Sequence, residues 1–417
     1  MKNLTIFKSS LVALALAAAS SAFAQSVAIT NATVHTVTDQ GVLTNATVVM
    51  DNGVITAINP ESVSADTVID AEGKILTPGF IGVMNQLGLV EVSAVSRTRD
   101  AGDKKADITF DPSIAFNPRS TLIPYSRKGG ITSNVVAPSG GDDMFKGQAF
   151  VADLSGSFDS VIEKNTAVII DLGSQSRGSR VLALQKLRVT LEDAKDDLAK
   201  AKKAKSKKDD KAKEPKRDEK VINALLAGET PLVAYADRAT DLLELINIKK
   251  EFGVNIVVSG GADAVLVAKQ LAEAEVPVIV SSISNLPSSF DSLHSSLDNA
   301  AKLKEAGVKV LLTISGDTHN LYQLRFDTGI AVANGLAQED ALAAITANIA
   351  DVFSFNAGRI AVGKKADVVL WTADPFEIST QVDKMWINGE EVSTRSRQDA
   401  LRDRYTTPSN MPRAYTK

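Results

Sequence analysis

The stretch NIVVSGGADAVLVAKQLAEAEVPVIV, residues 255–280, decides the fold. An apolar run over 255–258 stops at Ser259-Gly260, a helical stretch follows over 262–274, and Pro277 opens a second apolar run over 277–280. Short runs that are apolar at every position suit strands covered on both faces, as in a parallel sheet between helices. Working outward, the same texture predicts strands over 75–84, 131–137, 167–172, 231–235 and 308–314, and a helix over 239–252. Alternation sustained over 74–355 predicts the α/β class, and its economical closed form is a (β/α)8 barrel over 78–355. Seven strands are visible. The eighth is expected within 109–124 or 148–154.

Outside that span the pattern changes. Alternating, β-branched segments over 27–37, 47–50, 54–58 and 68–70 are punctuated by the turns Asp51-Asn52-Gly53 and Glu72-Gly73-Lys74. Similar segments return over 366–371, 382–387 and 391–392, with Asn388-Gly389 as a tight turn. Residues 25–77 and 356–395 are therefore expected to build one small β-sandwich from both ends of the chain, leaving 396–417 as a tail. Trp371 and Trp386 read as core or interface residues of that unit.

The first 24 residues read as a secretory signal peptide: Lys2 and Lys8, an apolar core over 11–19, then Ala22-Phe23-Ala24 before Gln25. With no cysteine among 417 residues, disulfides, thiolate metal sites and cysteine nucleophiles are excluded. An exported chain without cysteine is expected in a bacterial periplasm. The net charge is −4, and the segment 1–24 contributes two lysines and no acid. A mildly acidic chain has no global attraction to nucleic acid or anionic lipid, and no run is long enough for a membrane helix.

One segment departs from the rest. Residues 192–220 hold twelve Lys/Arg and nine Asp/Glu, and Pro215 ends or bends them. The lead-in Leu187, Leu191, Ala194, Leu198, Ala201 keeps a 4,3,4,3 spacing, which is a weak apolar seam along a helix. The insert 187–220 reads as a solvated helical excursion in a barrel loop, with partner docking as the alternative.

Two motifs then carry a resemblance. Val68-Ile69-Asp70-Ala71-Glu72-Gly73-Lys74-Ile75-Leu76-Thr77-Pro78-Gly79-Phe80-Ile81 resembles the lead-in to the barrel of the amidohydrolase superfamily. Gly358-Arg359-Ile360-Ala361-Val362-Gly363-Lys364-Lys365-Ala366-Asp367-Val368-Val369-Leu370-Trp371 resembles that family's return to its β-sandwich. The branches most similar are those of imidazolonepropionase and prolidase. The resemblance implies hydrolysis of amide, cyclic-amide or dipeptide bonds by one or two divalent ions such as zinc. These would be held by His-x-His on strand one, Lys or Glu on strand four, His on strands five and six, and Asp on strand eight. Such an ion lowers the pKa of its bound water, and the Asp takes the proton.

Against that pattern the chain is substituted almost everywhere. Met84 and Gln86 stand at the paired histidines, and Asp171-Leu172-Gly173-Ser174 supplies no Lys or Glu on strand four. Tyr235-Ala236-Asp237-Arg238 replaces the strand-five histidine motif, and Ser259-Gly260 replaces the His-Gly of strand six. Only Asp317, in Ser315-Gly316-Asp317, keeps its place. The chain's histidines are His35, His294 and His319. The candidate catalytic residues are thus Asp317, His319 and Asp237, with Met84, Gln86, Tyr235 and Ser259 as pocket residues. No metal is expected in the usual site and no cofactor is required. An atypical divalent site of Asp237, Asp317 and His319 is the alternative. Asp317 also reads as a rim carboxylate that bonds to a neighbouring loop.

Three readings of function stay open. The first is a superfamily member without the usual metal centre that binds a small-molecule or peptide-like ligand. The second is an active hydrolase built around Asp317. The third is a structural subunit, in a homo-oligomer or beside an active paralogue.

Overall fold

Gly79 is where one sheet hands the chain to another. The computed structural model describes residues 26–173, 179–206, 214–314 and 316–407. The expected export segment, Ser174, Ser315, residues 207–213 of the insert and the end of the tail lie outside the described residues. The run expected as one strand over 75–84 is two: Ile75–Pro78 belongs to the terminal sheet and Phe80–Asn85 to the barrel. A Cβ on Gly79 would stand 2.1 Å from Thr132 Oγ1, so only glycine lets the chain pass between the two sheets here.

The terminal sheet takes β1 (Val27–His35), β2 (Val42–Asp51), β3 (Val54–Ile58), β4 (Thr67–Asp70) and β5 (Ile75–Pro78) from the front of the chain. Asn52 and Gly53 turn β2 into β3 with φ of 50° and 78°, as a two-residue hairpin requires. The first half of β1 pairs in parallel with β4 and its second half with β5.

The barrel sheet runs β6 (Phe80–Asn85), β7 (Ile131–Val136), β8 (Phe145–Asp153), β9 (Val161–Asp171), β10 (Leu232–Ala236), β11 (Ile256–Gly260), β12 (Val278–Ser281) and β13 (Val310–Thr313), each beside the next. The Thr313 hydroxyl donates to Val83 O at 2.6 Å where the first and last strands meet. The eighth strand is β8, overlapping the expected span 148–154. The other candidate span, 109–124, forms the short helical turns Pro112–Ala115 and part of Leu122–Arg127. Contrary to a uniformly parallel sheet, β8 runs antiparallel to both β7 and β9. No helix separates these three strands, so hairpin connections replace crossovers, and a hairpin must reverse direction. One consequence matters below: the start of β8, not its end, lies at the rim where the other strands end.

Alternate side chains of the strands separate into two cores, as a period of two demands. Ile81, Val83, Val233, Val257, Ile279 and Leu311 fill the barrel interior. Their neighbours Phe80, Leu232, Ala234, Ile256, Val258 and Val278 pack against the outer helices, including Leu242, Leu245 and Ile246 of Ala239–Phe252. Each fully buried aliphatic side chain contributes about 1.5–3 kcal/mol. The insert helix Arg180–Ser206 buries Leu187 and Leu191, whereas Ala194 and Leu198 are half-buried and Ala201 is exposed. The apolar seam therefore holds only the helix's first half, and Arg188 pins that half to Glu244 at 2.6 Å and to Glu251.

The chain returns through β14 (Val368–Trp371), β15 (Val382–Ile387) and β16 (Glu390–Glu391) to complete the terminal sheet in the order β16-β15-β14-β5-β1-β2-β3. The two tryptophans divide the two expected tasks. Trp386 lies in the terminal sheet's own core with Ile29, Val48 and Leu76. Trp371 stacks on Phe80 at 5.2 Å and donates its indole N–H to Thr77 Oγ1 at 2.9 Å, so it joins the two sheets.

Candidate functional site

The ends of β6, β9, β10, β11 and β13, with the start of β8, surround polar clefts on one rim of the barrel. An inner cleft of about 390 Å³ is lined by Gln86, Lys146, Asp171, Tyr235, Asp237 and Ser259, among others. An outer one of about 630 Å³ shares Gln86, Ser139, Lys146 and Asp171 with it and adds Ser93, Arg99, Lys104 and Asp317. A third, serine-rich cleft of about 580 Å³ shares Asp237 and Gly260 with the inner one.

Gln86, Tyr235, Asp237 and Ser259 thus line one cleft together, and Asp317 faces the adjoining outer cleft. Met84 is not brought to either. A bulge in the pairing of β6 with β7 puts Met84 at φ 57°, and its side chain packs against the apolar barrel interior. His319 follows Asp317 on a short helical turn, its Nδ1 4.0 Å from Asp317 Oδ2, with both side chains more than half exposed. Asp317 Oδ1 accepts the Ser93 hydroxyl at 2.9 Å, which matches a rim carboxylate bonded to a neighbouring loop. His294 lies at Asp263, Nδ1 to Oδ1 2.7 Å, and His35 is in the terminal sheet, its pKa lowered by burial.

Electrostatics differ across the inner cleft. The Tyr235 phenol pKa is pushed well up, chiefly by burial and then by the Asp171 charge, so the group stays a hydroxyl donor. The Asp237 carboxyl is also raised, first by burial. The N–H of Ala262, donating to Oδ1 at 3.2 Å, acts the other way, and Asp263 and Asp291 add to the rise. Gly260 is required beside it, since a Cβ there would lie 2.7 Å from Asp237 Oδ1. Asp171 Oδ1 accepts the Gly173 N–H at 2.8 Å.

Two residues of the cleft escaped the sequence reading as site groups, Lys146 and Asp171. Lys146 is 8% exposed and its ammonium donates to Gly141 O at 3.0 Å and Asp143 O at 2.9 Å. It lies between the glycine pair Gly140-Gly141 and the single Gly147, the one local signal available. That signal indicates a turn, and only the reversed β8 puts its start at the rim.

The donors do not fit the divalent ion that the family pattern implies. No histidine lines the inner cleft, a lysine ammonium does, and among the described residues no three His, Cys, Asp or Glu side chains could hold a metal. Asp237, Asp317 and His319 are accordingly not such a group, because Asp237 sits at the inner cleft while the other two stand on the exposed rim.

A sequence profile of the amidohydrolase family matches residues 189–392. Among solved structures, an amidohydrolase from Thermotoga maritima MSB8 superposes with a TM-score of 0.80 at 26% identity, over 88% of this chain and 100% of that one. A prolidase complexed with N-methylphosphonate-L-proline gives 0.55 at 17%, over 89% and 100%. A triazine hydrolase variant gives 0.52 at 14%, over 92% and 100%. These last two show the fold alone. A search of curated protein sequences finds no match. Profile, barrel, terminal sheet and the Thermotoga likeness all support the amidohydrolase superfamily, a family of hydrolases.

Proposed function

We propose that this protein is an exported member of the superfamily that binds a small polar ligand in the rim clefts and does not work through the usual metal centre. One observation carries the reading. At the positions where the resemblance implies imidazoles, Gln86, Tyr235 and Ser259 line the cleft and Met84 packs into the barrel interior. Amide, phenol and hydroxyl groups are hydrogen-bonding partners for a ligand but weak donors to a divalent cation. Lys146 adds a fixed positive charge to the same space, and like charge opposes an ion beside it. The alternative, hydrolysis assisted by Asp317, is favoured by one fact: Asp317 shares the outer cleft with Lys146 and Asp171.

Metal content tests the reading. The purified protein is incubated with Zn²⁺, Mn²⁺ and Fe²⁺, freed of unbound ion and measured by elemental mass spectrometry. Less than about a tenth of an equivalent, the background of adventitious surface binding, is the expected result. About one equivalent, lost on Asp317→Ala, would overturn it. The N-terminus of the protein recovered from a bacterial periplasm tests export, with Gln25 expected first.

A further inference from the structure

We infer that the outer cleft is a binding site for an anionic group, carboxylate or phosphate, seated on the Lys146 ammonium and the backbone of Gly140-Gly141. The inference deepens the ligand-binding reading above and rests on it for the site's purpose, though not for its chemistry.

The first observation is Lys146 itself. A lysine this buried is ordinarily paired, because an ammonium taken out of water is strongly disfavoured unless something replaces its hydration. Here, among the described residues, no carboxylate lies within ion-pair distance of it. Two backbone carbonyls, Gly141 O and Asp143 O, take two of its three protons, and the side chain lines both the inner and the outer cleft. One donor and a full charge are left for whatever enters.

The second observation is the loop that holds it. Gly140 is left-handed at φ 62°, and a Cβ there would stand 2.4 Å from Lys146 Cα. A Cβ on Gly141 would stand 2.2 Å from Asp103 O, so both glycines are wedged between the lysine strand and the 101–104 loop. Ser139 N bonds to Ala101 O and Asp142 N to Lys104 O, yet among the described residues no acceptor takes the N–H of Gly140 or Gly141. Both residues line the outer cleft. Successive free N–H groups around a left-handed residue are the makings of an anion-binding concavity.

Three of the four acids of the same cleft, Asp103, Asp142, Asp171 and Asp317, bond to groups other than the lysine. Asp171 Oδ1 accepts Gly173 N–H, Asp317 Oδ1 accepts the Ser93 hydroxyl, and Asp103 Oδ1 accepts Lys105 N–H. Arg99 and Lys104, both exposed on the cleft wall, add positive charge on the approach. The lysine is braced from behind as well. Lys186 of the insert helix bonds to Asp143 Oδ2 at 2.8 Å, and the same Asp143 gives its carbonyl to Lys146.

Calorimetric titration of the full chain with malonate, and separately with inorganic phosphate, tests the inference at matched ionic strength. Saturable binding of one of them is expected, and the tighter of the two identifies the anion class. Lys146→Met should weaken it by about tenfold or more, and Lys146→Arg by less, as for loss and retention of a charge-assisted contact. Hydrogen–deuterium exchange of the peptide 138–147 in the unmutated protein gives a second readout independent of the variants' folding. Slower exchange there in the presence of the bound anion is expected. No binding of either anion at millimolar concentration, unchanged affinity in a folded Lys146→Met, or unchanged exchange over 138–147 would overturn the inference. Metal content fails or passes separately: a metal-loaded protein that still binds the anion through Lys146 refutes only the metal-free reading.

Discussion

The carboxylate of Asp317 accepts a hydrogen bond from the Ser93 hydroxyl at 2.9 Å, which ties the segment after β13 to a loop across the outer cleft. Asp317 is more than half exposed, and no buried partner depends on it. Asp317→Ala should therefore shift the unfolding free energy by no more than about 0.5 kcal/mol, as for other surface changes. Chemical denaturation checks this. A loss of several kcal/mol would show that the residue holds the rim together.

Rebuilding the paired histidines separates two environments. Gln86→His places an imidazole at the cleft and should fold normally. Met84→His forces one against the apolar barrel interior, at a left-handed backbone position, and should cost about 1–3 kcal/mol. The double variant should retain no zinc, because Tyr235 and Ser259 give the cleft only weak oxygen donors. Urea unfolding and elemental analysis of the three variants decide the matter.

Stability should depend on pH through Asp327. Burial raises its carboxyl to about 6 in the folded chain, against an ordinary value of 3.8. The folded state holds the proton more tightly, so this contribution is fully present below about pH 4 and lost as pH rises through about 6. The size is on the order of 3 kcal/mol. Asp327→Asn should flatten that part of the melting-temperature profile between pH 4 and 7, and an unchanged slope would rule the group out.

Gly79 should tolerate no side chain. A Cβ there overlaps Thr132 Oγ1 and Cγ2, both atoms of a buried strand residue. Gly79→Ala is expected to cost about 1–3 kcal/mol through overpacking at the crossing between the sheets. Equal melting temperatures for the variant and the parent chain would contradict this.

The strands that carry Gln86, Tyr235, Asp237 and Ser259 were legible because apolar runs covered on both faces leave a local signature. So were the Asn52-Gly53 and Asn388-Gly389 turns, where φ is positive and asparagine and glycine accept it. The split at Gly79 was not legible, since Ile75 to Met84 reads as one apolar run and only Thr132, far away in sequence, forces the break. Met84 was placed with the pocket because the resemblance puts it, with Gln86, at the paired histidines. The bulge that diverts it arises from pairing with β7, which local sequence does not encode.

Sequence alone determined the class of the fold and the joining of both termini into one β unit, because each depends on residue type and short-range period. Tertiary structure decided that β8 runs backwards, and with it that Lys146 comes to the rim beside Asp171 and Gln86. Strand direction follows from which neighbour completes the backbone hydrogen bonds, and that choice is made across the barrel rather than along the chain.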